Sequence, residues 1–149
     1  MPSLGMFVTG EVKGLARPRA TTFRGHARMY DPSQNVNEKG RIQVHFLETV
    51  KKLGIALPIV CDGKGFFVRI DAYFKVPKSF SKKKRMAALD GEILPTKKPD
   101  ADNVCKLVLD SISGYLGDDA MVTRVIVEKH YGDVEGIDLL VCWEEPKND

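Results

Sequence analysis

The stretch DNVCKLVLDSIS, residues 102–113, is followed by the stretches VTRVIVEKHY (122–131) and IDLLVCW (137–143). In the first stretch apolar residues recur at three- and four-residue spacing, which predicts a helix with one apolar face. The other two stretches predict two strands, and in the second of them Ile137, Leu139, Val141 and Trp143 alternate along the chain and share one face. A turn around residues 132–136 separates these strands, so we expect them to form a terminal hairpin.

Upstream of residue 100 the sequence predicts five further elements. They are a strand from Met6 to Val12, a short extended piece over 27–30 after a basic loop, a helix from Asn37 to Leu53 that stops at Gly54, a strand from Phe67 to Phe74, and a short helix over 81–89 capped by Ser81. This mixed order favours an α+β fold, with a mainly antiparallel or mixed sheet packed against helices, over a doubly wound parallel sheet. A length of 149 residues fits a single domain over 1–149.

Composition excludes several classes of protein. No apolar run approaches the roughly 20 residues that a membrane span needs, and the N-terminus lacks the features of a signal peptide, so we expect a cytoplasmic protein with no membrane partner. Cys61, Cys105 and Cys142 are widely separated, which argues against a disulfide framework or a zinc site. We expect all three thiols to be reduced, with Cys142 in the core.

Basic residues are concentrated in two places, although the net charge is only +3. The first group is Lys13, Arg17, Arg19, Arg24 and Arg28, with no acidic residue among them. The second is Lys75, Lys78, Lys82, Lys83, Lys84 and Arg85, followed by Lys97 and Lys98. Segregated positive charge is typical of proteins that bind a polyanion, and it is equally typical of solvated loops.

Acidic residues flank the helix of residues 102–113. Asp100 lies in an extended lead-in after Pro99, Asp102 can cap the helix, and Asp118-Asp119 follow in a turn. Two positions apart in an extended segment, Asp100 and Asp102 would project to the same side. Such carboxylates suit Mg²⁺, which prefers oxygen ligands. The alternative is structural: the aspartates cap and turn the chain, and Lys106 pairs with Asp110 at i+4. His26, His45 and His130 have no ligand spacing, so we expect structural roles for the last two.

The segment Lys98-Pro99-Asp100-Ala101-Asp102-Asn103-Val104-Cys105-Lys106, with Gly117-Asp118-Asp119 and Lys129-His130-Tyr131-Gly132, resembles the RusA family of Holliday-junction resolvases, the crossover junction endodeoxyribonucleases of bacteria and their phages. The resemblance is strongest over residues 97–132. A weaker resemblance covers residues 14–32, through Arg17-Pro18-Arg19 and Tyr30-Asp31-Pro32.

The resemblance implies a homodimer with a RusA-like fold whose two sites nick opposing strands of a four-way DNA junction. It places the essential aspartates at Asp100, Asp102 and one of Asp118 or Asp119, of which we favour Asp119. It places the functional lysine at Lys106.

The hypothesis from the sequence is therefore metal-assisted hydrolysis of DNA in recombination and repair. Asp100, Asp102 and Asp119, with Asp118, would hold Mg²⁺, for which Mn²⁺ can substitute. Lys106 would neutralise charge on the phosphate, and Arg17, Arg19, Arg24 and Arg28 would contact backbone phosphates. The alternatives are a non-catalytic nucleic-acid-binding module, a nuclease acting on flaps, Y-forks or RNA, and a structural protein with an acidic surface.

Overall fold

The computed structural model describes residues 1–16, 19–30 and 32–147, and of Arg19, Thr21, Phe23, Arg28 and Tyr30 it describes the backbone alone. The strands are β1 (Ser3–Thr9), β2 (Arg19–Phe23), β3 (His26–Tyr30), β4 (Phe66–Lys75), β5 (Val122–Gly132) and β6 (Gly136–Cys142). The α-helices are α1 (Ser33–Leu53), α2 (Lys82–Leu89) and α3 (Ala101–Ile112), and short 3₁₀ turns cover Ser113–Leu116 and Asp119–Met121. The α+β class predicted from the element order is confirmed.

Four strands form a mixed sheet in the order β1-β6-β4-β5. Strand β6 is antiparallel to both β1 and β4, whereas β5 is parallel to β4. The predicted terminal hairpin is therefore wrong, because β4 lies between the last two strands. The connection at residues 133–135 crosses the end of β4, and it spans two strand spacings, roughly 10 Å, which a few extended residues can cover.

Helices α1 and α3 cover one face of the sheet. Their apolar stripes, which include Phe46 and Leu107, pack on the alternate β4 residues Val68 and Ile70 in one core. The opposite β4 residues, which include Arg69 and Asp71, point to the sheet face away from this core, as the alternation of a strand requires. The predicted periodicities of α3 and β4 are thus confirmed.

Element boundaries differ from the prediction at the N-terminal side. Strand β1 runs from Ser3 to Thr9 instead of Met6 to Val12, because its pairing with β6 ends at Thr9 and Gly10 leaves the sheet with φ 127°. Helix α1 begins at Ser33, four residues before the predicted Asn37, because the Pro32 carbonyl already accepts the first helical hydrogen bonds. It ends as predicted at Gly54, where φ is 68°.

Two smaller predictions are confirmed. The Ser81 hydroxyl accepts a hydrogen bond from the Lys84 N–H at 3.2 Å and caps α2. All three cysteines are free thiols, and Cys142 is buried.

None of the helices in the described residues has the length and apolar character that crossing a membrane requires.

Candidate metal and nucleic-acid site

The acidic lead-in, residues 97–103, ends at the start of α3. Asp100 has the extended backbone that the sequence predicts (φ −67°, ψ 151°). It occupies the cap position, which was predicted for Asp102, but its side chain makes no capping hydrogen bond. The helix begins at Ala101, so Asp102 lies in the first turn and is not the cap. The prediction that Asp100 and Asp102 share one side of an extended segment is therefore wrong. Both side chains are exposed, and the Asp100 carboxylate has no capping role.

The outer face of α3 carries Asp102, Lys106 and Asp110, as the four-residue spacing predicts. The Lys106 Nζ lies 3.8 Å from an Asp102 oxygen, whereas Asp110 pairs with Lys39 of α1 at 3.9 Å. The expected i+4 pair of Lys106 with Asp110 is thus replaced by a pair with the preceding aspartate. With both partners more than 60% exposed, this ion pair contributes only a few tenths of a kcal/mol, and Lys106 is available to a phosphate.

Asp118 and Asp119 follow Gly117, whose φ of 94° turns the chain. A hydrogen bond between the two carboxyl groups lowers the pKa of Asp118 and raises the pKa of Asp119. The Ala120 N–H further lowers the pKa of Asp118, and the charge of Asp110 on α3 further raises the pKa of Asp119. The turn therefore lies within electrostatic reach of α3, and its two carboxyl groups interact with each other.

The four aspartates of the sequence hypothesis lie along α3 and the turn that follows it, but their carboxylates do not form a compact cluster. Among the residues that the structure describes, no three of Asp100, Asp102, Asp118 and Asp119 bring carboxylate oxygens within 4.8 Å of one another. All four are exposed. Geometry thus gives an open acidic surface with Lys106 on it.

A different cluster, which sequence reasoning missed, meets the spacing of a metal site. Ligand atoms of Asp71, Glu128 and His130 all lie within 4.8 Å of one another. The His130 Nε2 lies 2.8 Å from Asp71 and 3.4 Å from Glu128. These residues come together because β4 and β5 are parallel and in register, which pairs Asp71 with Glu128 across 57 positions of sequence. The one available signal was a lone aspartate inside the apolar strand FFVRIDAYF.

Arg69 competes with any cation at this sheet cluster. Its guanidinium donates to both Asp71 oxygens, at 2.9 and 3.3 Å, and to Glu128 at 3.2 Å. Burial alone would raise the pKa of Asp71, but hydrogen bonds from Arg69 and His130 outweigh it and lower that pKa. The cluster is thus already satisfied as an ion-pair network. It also lies on the sheet face opposite α3, so the expected structural role of His130 agrees with the geometry.

The first basic group is joined to the acidic lead-in through backbone contacts. The Leu15 N–H donates to the Asn103 carbonyl at 3.1 Å. Gly14 packs so closely on α3 that a Cβ there would lie 2.9 Å from the Cβ atoms of Pro99 and Asn103. Buried Asn35 holds the Ala16 backbone by two hydrogen bonds, at 2.8 and 2.9 Å. The chain that leads into the β2–β3 hairpin therefore starts beside Asp100 and Asp102.

Of the predicted DNA-binding arginines, Arg19, Arg24 and Arg28 belong to the β2–β3 hairpin. Arg24 is exposed at the hairpin turn, where its φ is 50°. Arg17 lies outside the described residues, as do the side chains of Arg19 and Arg28. The backbone pairs Arg19 with Tyr30, which places the hairpin next to the start of α1.

Known proteins resemble this chain along most of its length. The family model described as endodeoxyribonuclease RusA matches residues 9–141, which include the acidic lead-in, α3 and the Asp118-Asp119 turn. A relative described as uncharacterized protein YqaN, from Bacillus subtilis (strain 168), is 30% identical over 148 residues, which are 95% of this chain and 96% of the relative. Both matches extend far beyond the acidic motif, and the chain therefore belongs to the RusA family of endodeoxyribonucleases.

Proposed function

We propose that this chain is a Mg²⁺-dependent endonuclease that acts as a homodimer and resolves four-way DNA junctions by paired nicks, in recombination and repair. The observation that carries the proposal is the contact between two charged regions, the acidic lead-in and the basic segment, which comprises residues 13–18 before the β2–β3 hairpin. Leu15 and Gly14 of the basic segment contact Asn103 and Pro99 of the lead-in. Phosphates held by the basic segment are thereby brought to the carboxylates. Because the proposed substrate is DNA, we expect the enzyme to act in the cytoplasm of a bacterial cell, encoded by the host or by a phage.

The chemistry of the donor set fits a hard divalent cation. Asp100 and Asp102 offer exposed carboxylates, and Asp118 and Asp119 add two more, whose mutual interaction shifts their pKa values in opposite directions. Asp100, Asp102 and Asp119, with Asp118, would hold Mg²⁺ or Mn²⁺. When bound, the metal would polarise the scissile phosphate and lower the pKa of a water.

Lys106 is the positively charged residue beside these aspartates. It lies one helical turn after Asp102, and its ion pair with that residue at 3.8 Å is loose and solvated. A phosphate oxygen can take the place of the carboxylate without leaving a buried charge unpaired. Lys106 would then offset negative charge that develops on the scissile phosphate. Asp102, released from the lysine, would face the cation.

The basic segment and hairpin would hold the DNA backbone. Arg17, Arg19, Arg24 and Arg28 carry no acidic residue among them, and their contacts to phosphate would position the junction without reading sequence. A homodimer follows from the chemistry of the substrate, because symmetric nicking of a symmetric junction requires two active sites. Light scattering of the complex with junction DNA tests the stoichiometry, and one chain per junction would contradict it.

A second location for the metal is favoured by one observation, the ligand spacing at Asp71, Glu128 and His130. A cation there must displace Arg69, which donates to both Asp71 oxygens. The basic segment also contacts the lead-in, on the other side of the sheet. We therefore propose the acidic lead-in as the catalytic site and the sheet cluster as a structural network.

The proposal is tested by incubating the wild-type protein with a synthetic four-way junction, a flap, a Y-fork, single-stranded RNA and linear duplex, in Mg²⁺, Mn²⁺ or EDTA. We expect paired nicks near the crossover of the four-way junction, with Mg²⁺ or Mn²⁺ only. Preferred cutting of the flap, the fork or RNA would assign a different nuclease specificity. Tight binding with no cutting under any metal condition would assign a binding module, and no binding at physiological salt would leave only a structural role.

A further inference from the structure

Six lysines of the second basic group are exposed and have no role in the proposed function. They are Lys75 at the end of β4, Lys78, Lys82 and Lys83 at the start of α2, and Lys97 and Lys98 in the lead-in. We call these six residues the α2 basic surface. All six side chains are exposed.

Positive charge on the α2 basic surface is not compensated by carboxylates. Within the described parts of the chain, none of its six lysines lies within 4.0 Å of an acidic oxygen. The neighbouring cations behave differently: Arg85 pairs with Asp133 at 3.5 Å, and Lys84 lies 4.2 Å above the Phe80 ring. Lys84 and Arg85 therefore have partners within the protein, whereas the described residues offer Lys82 and Lys83 no carboxylate within 4.0 Å.

The position of Lys82 and Lys83 is unfavourable for the helix itself. They lie in the first turn of α2, which contains no acidic residue. The N-terminus of a helix carries partial positive charge, so cations there reduce helix stability by a few tenths of a kcal/mol. Folding therefore gives no reason for this placement, whereas binding of a polyanion does.

Lys97 and Lys98 of the α2 basic surface are also the first two residues of the acidic lead-in. The Lys129 ammonium on β5 donates to the Lys97 carbonyl at 2.6 Å, so the lead-in begins against β5. Three residues further along β5, Gly132 pairs with Lys75. At about 3.3 Å per strand residue, the surface extends roughly 10 Å from Lys97 to Lys75, a distance that covers successive phosphates of a DNA strand.

We propose that the α2 basic surface is a second DNA-binding surface, which holds the phosphates of a duplex arm as that arm leaves the acidic lead-in. The proposal rests on the proposed function. The basic segment contacts the lead-in at Pro99 and Asn103, and the α2 basic surface reaches it at Lys97. The lead-in that carries Asp100 and Asp102 therefore contacts the basic segment and also contains two lysines of the α2 basic surface.

The test is the salt dependence of junction binding, measured by fluorescence anisotropy in EDTA between about 50 and 200 mM salt. The variant is Lys82→Gln with Lys83→Gln, which leaves the helix intact because glutamine and lysine have similar helix propensity. A second variant, Lys97→Gln with Lys98→Gln, changes the lead-in before α3 and leaves the sequence of α2 unaltered. The matched control is Lys51→Gln with Lys52→Gln, the same change of charge in the last turn of α1, a helix about 30 Å long whose other end holds Ala16.

Each lysine that contacts a phosphate contributes about one unit to the slope of log affinity against log salt. We expect both test variants to have slopes shallower by about 2 and the control to match the wild type. If the wild type binds and nicks the junction while both test variants retain its slope, this inference is overturned and the proposed function stands. If the wild type neither binds nor nicks the junction, both are overturned.

Discussion

Gly14→Ala tests the contact that joins the basic segment to the acidic lead-in. The added methyl group would lie 2.9 Å from the Cβ atoms of both Pro99 and Asn103, where ordinary contacts are 3.4–4 Å. The segment or the start of α3 must therefore move by roughly 0.5–1 Å. Overpacking of this kind costs about 1–3 kcal/mol, and the hydrogen bond from Leu15 to Asn103 is strained by the same movement.

Gly40→Ala is the matched control for this substitution. Gly40 lies inside α1, and a Cβ there meets nothing within 4 Å. The same change of glycine to alanine should therefore stabilise the protein by about 0.5–1 kcal/mol, through helix propensity alone. The two variants differ in the sign of the expected effect, although they add the same methyl group.

The assay is urea unfolding of the wild type and both variants, followed by junction nicking at a temperature where all three are folded. We expect Gly14→Ala to lower the free energy of unfolding by about 1–3 kcal/mol and to slow nicking, because the basic segment is displaced from Asp100 and Asp102. Gly40→Ala should nick at the wild-type rate. A Gly14→Ala protein as stable and as active as the wild type would refute the close contact and the coupling inferred from it.

Three further predictions concern single side chains. Asp71→Asn should lower the free energy of unfolding by about 2 kcal/mol at neutral pH, since it weakens hydrogen bonds to charged groups. Because the folded pKa of Asp71 is lowered, this stabilisation should be present above pH about 4, the ordinary aspartate value, and be lost as pH falls through the lowered pKa; a difference in stability between the two proteins that is the same at neutral and at acid pH would contradict it. Asn35→Ala should cost about 2 kcal/mol in urea unfolding, because the Ala16 N–H and carbonyl lose their partner, and a loss under 0.5 kcal/mol, roughly, would argue against that clamp. Asp118→Asn should lower the pKa of Asp119 in a carboxyl carbon NMR titration in EDTA, and an unchanged titration would show that the two groups do not interact.

Local patterns in the sequence predicted the elements well, because each depends on neighbouring residues. The apolar spacing of α3, the alternation in β4, the stop at Gly54 and the cap at Ser81 all have causes within a few positions. Strand pairing depends on residues far apart. The terminal hairpin was wrong because nothing within residues 122–143 shows that β4 occupies the place between the two strands.

The same difference between local and long-range causes applies to the candidate site. Helical spacing predicts that Asp102, Lys106 and Asp110 are exposed, but the pairing of Asp110 with Lys39 depends on how α1 crosses α3. Contact of Gly14 with Pro99 joins residues 85 positions apart, and the network of Asp71 with His130 joins strands that only the sheet brings together. No local pattern predicts either contact.

The central claim is that the acidic lead-in, and not the sheet cluster, carries the metal-dependent chemistry. The most direct measurement compares Asp102→Asn with Asp71→Asn in Mg²⁺-dependent nicking of a four-way junction, at a temperature where both variants are folded. We predict that Asp102→Asn abolishes nicking while it still binds the junction, and that Asp71→Asn nicks at close to the wild-type rate. Loss of nicking in a folded Asp71→Asn protein, with activity retained in Asp102→Asn, would contradict the account and move the catalytic metal to Asp71, Glu128 and His130.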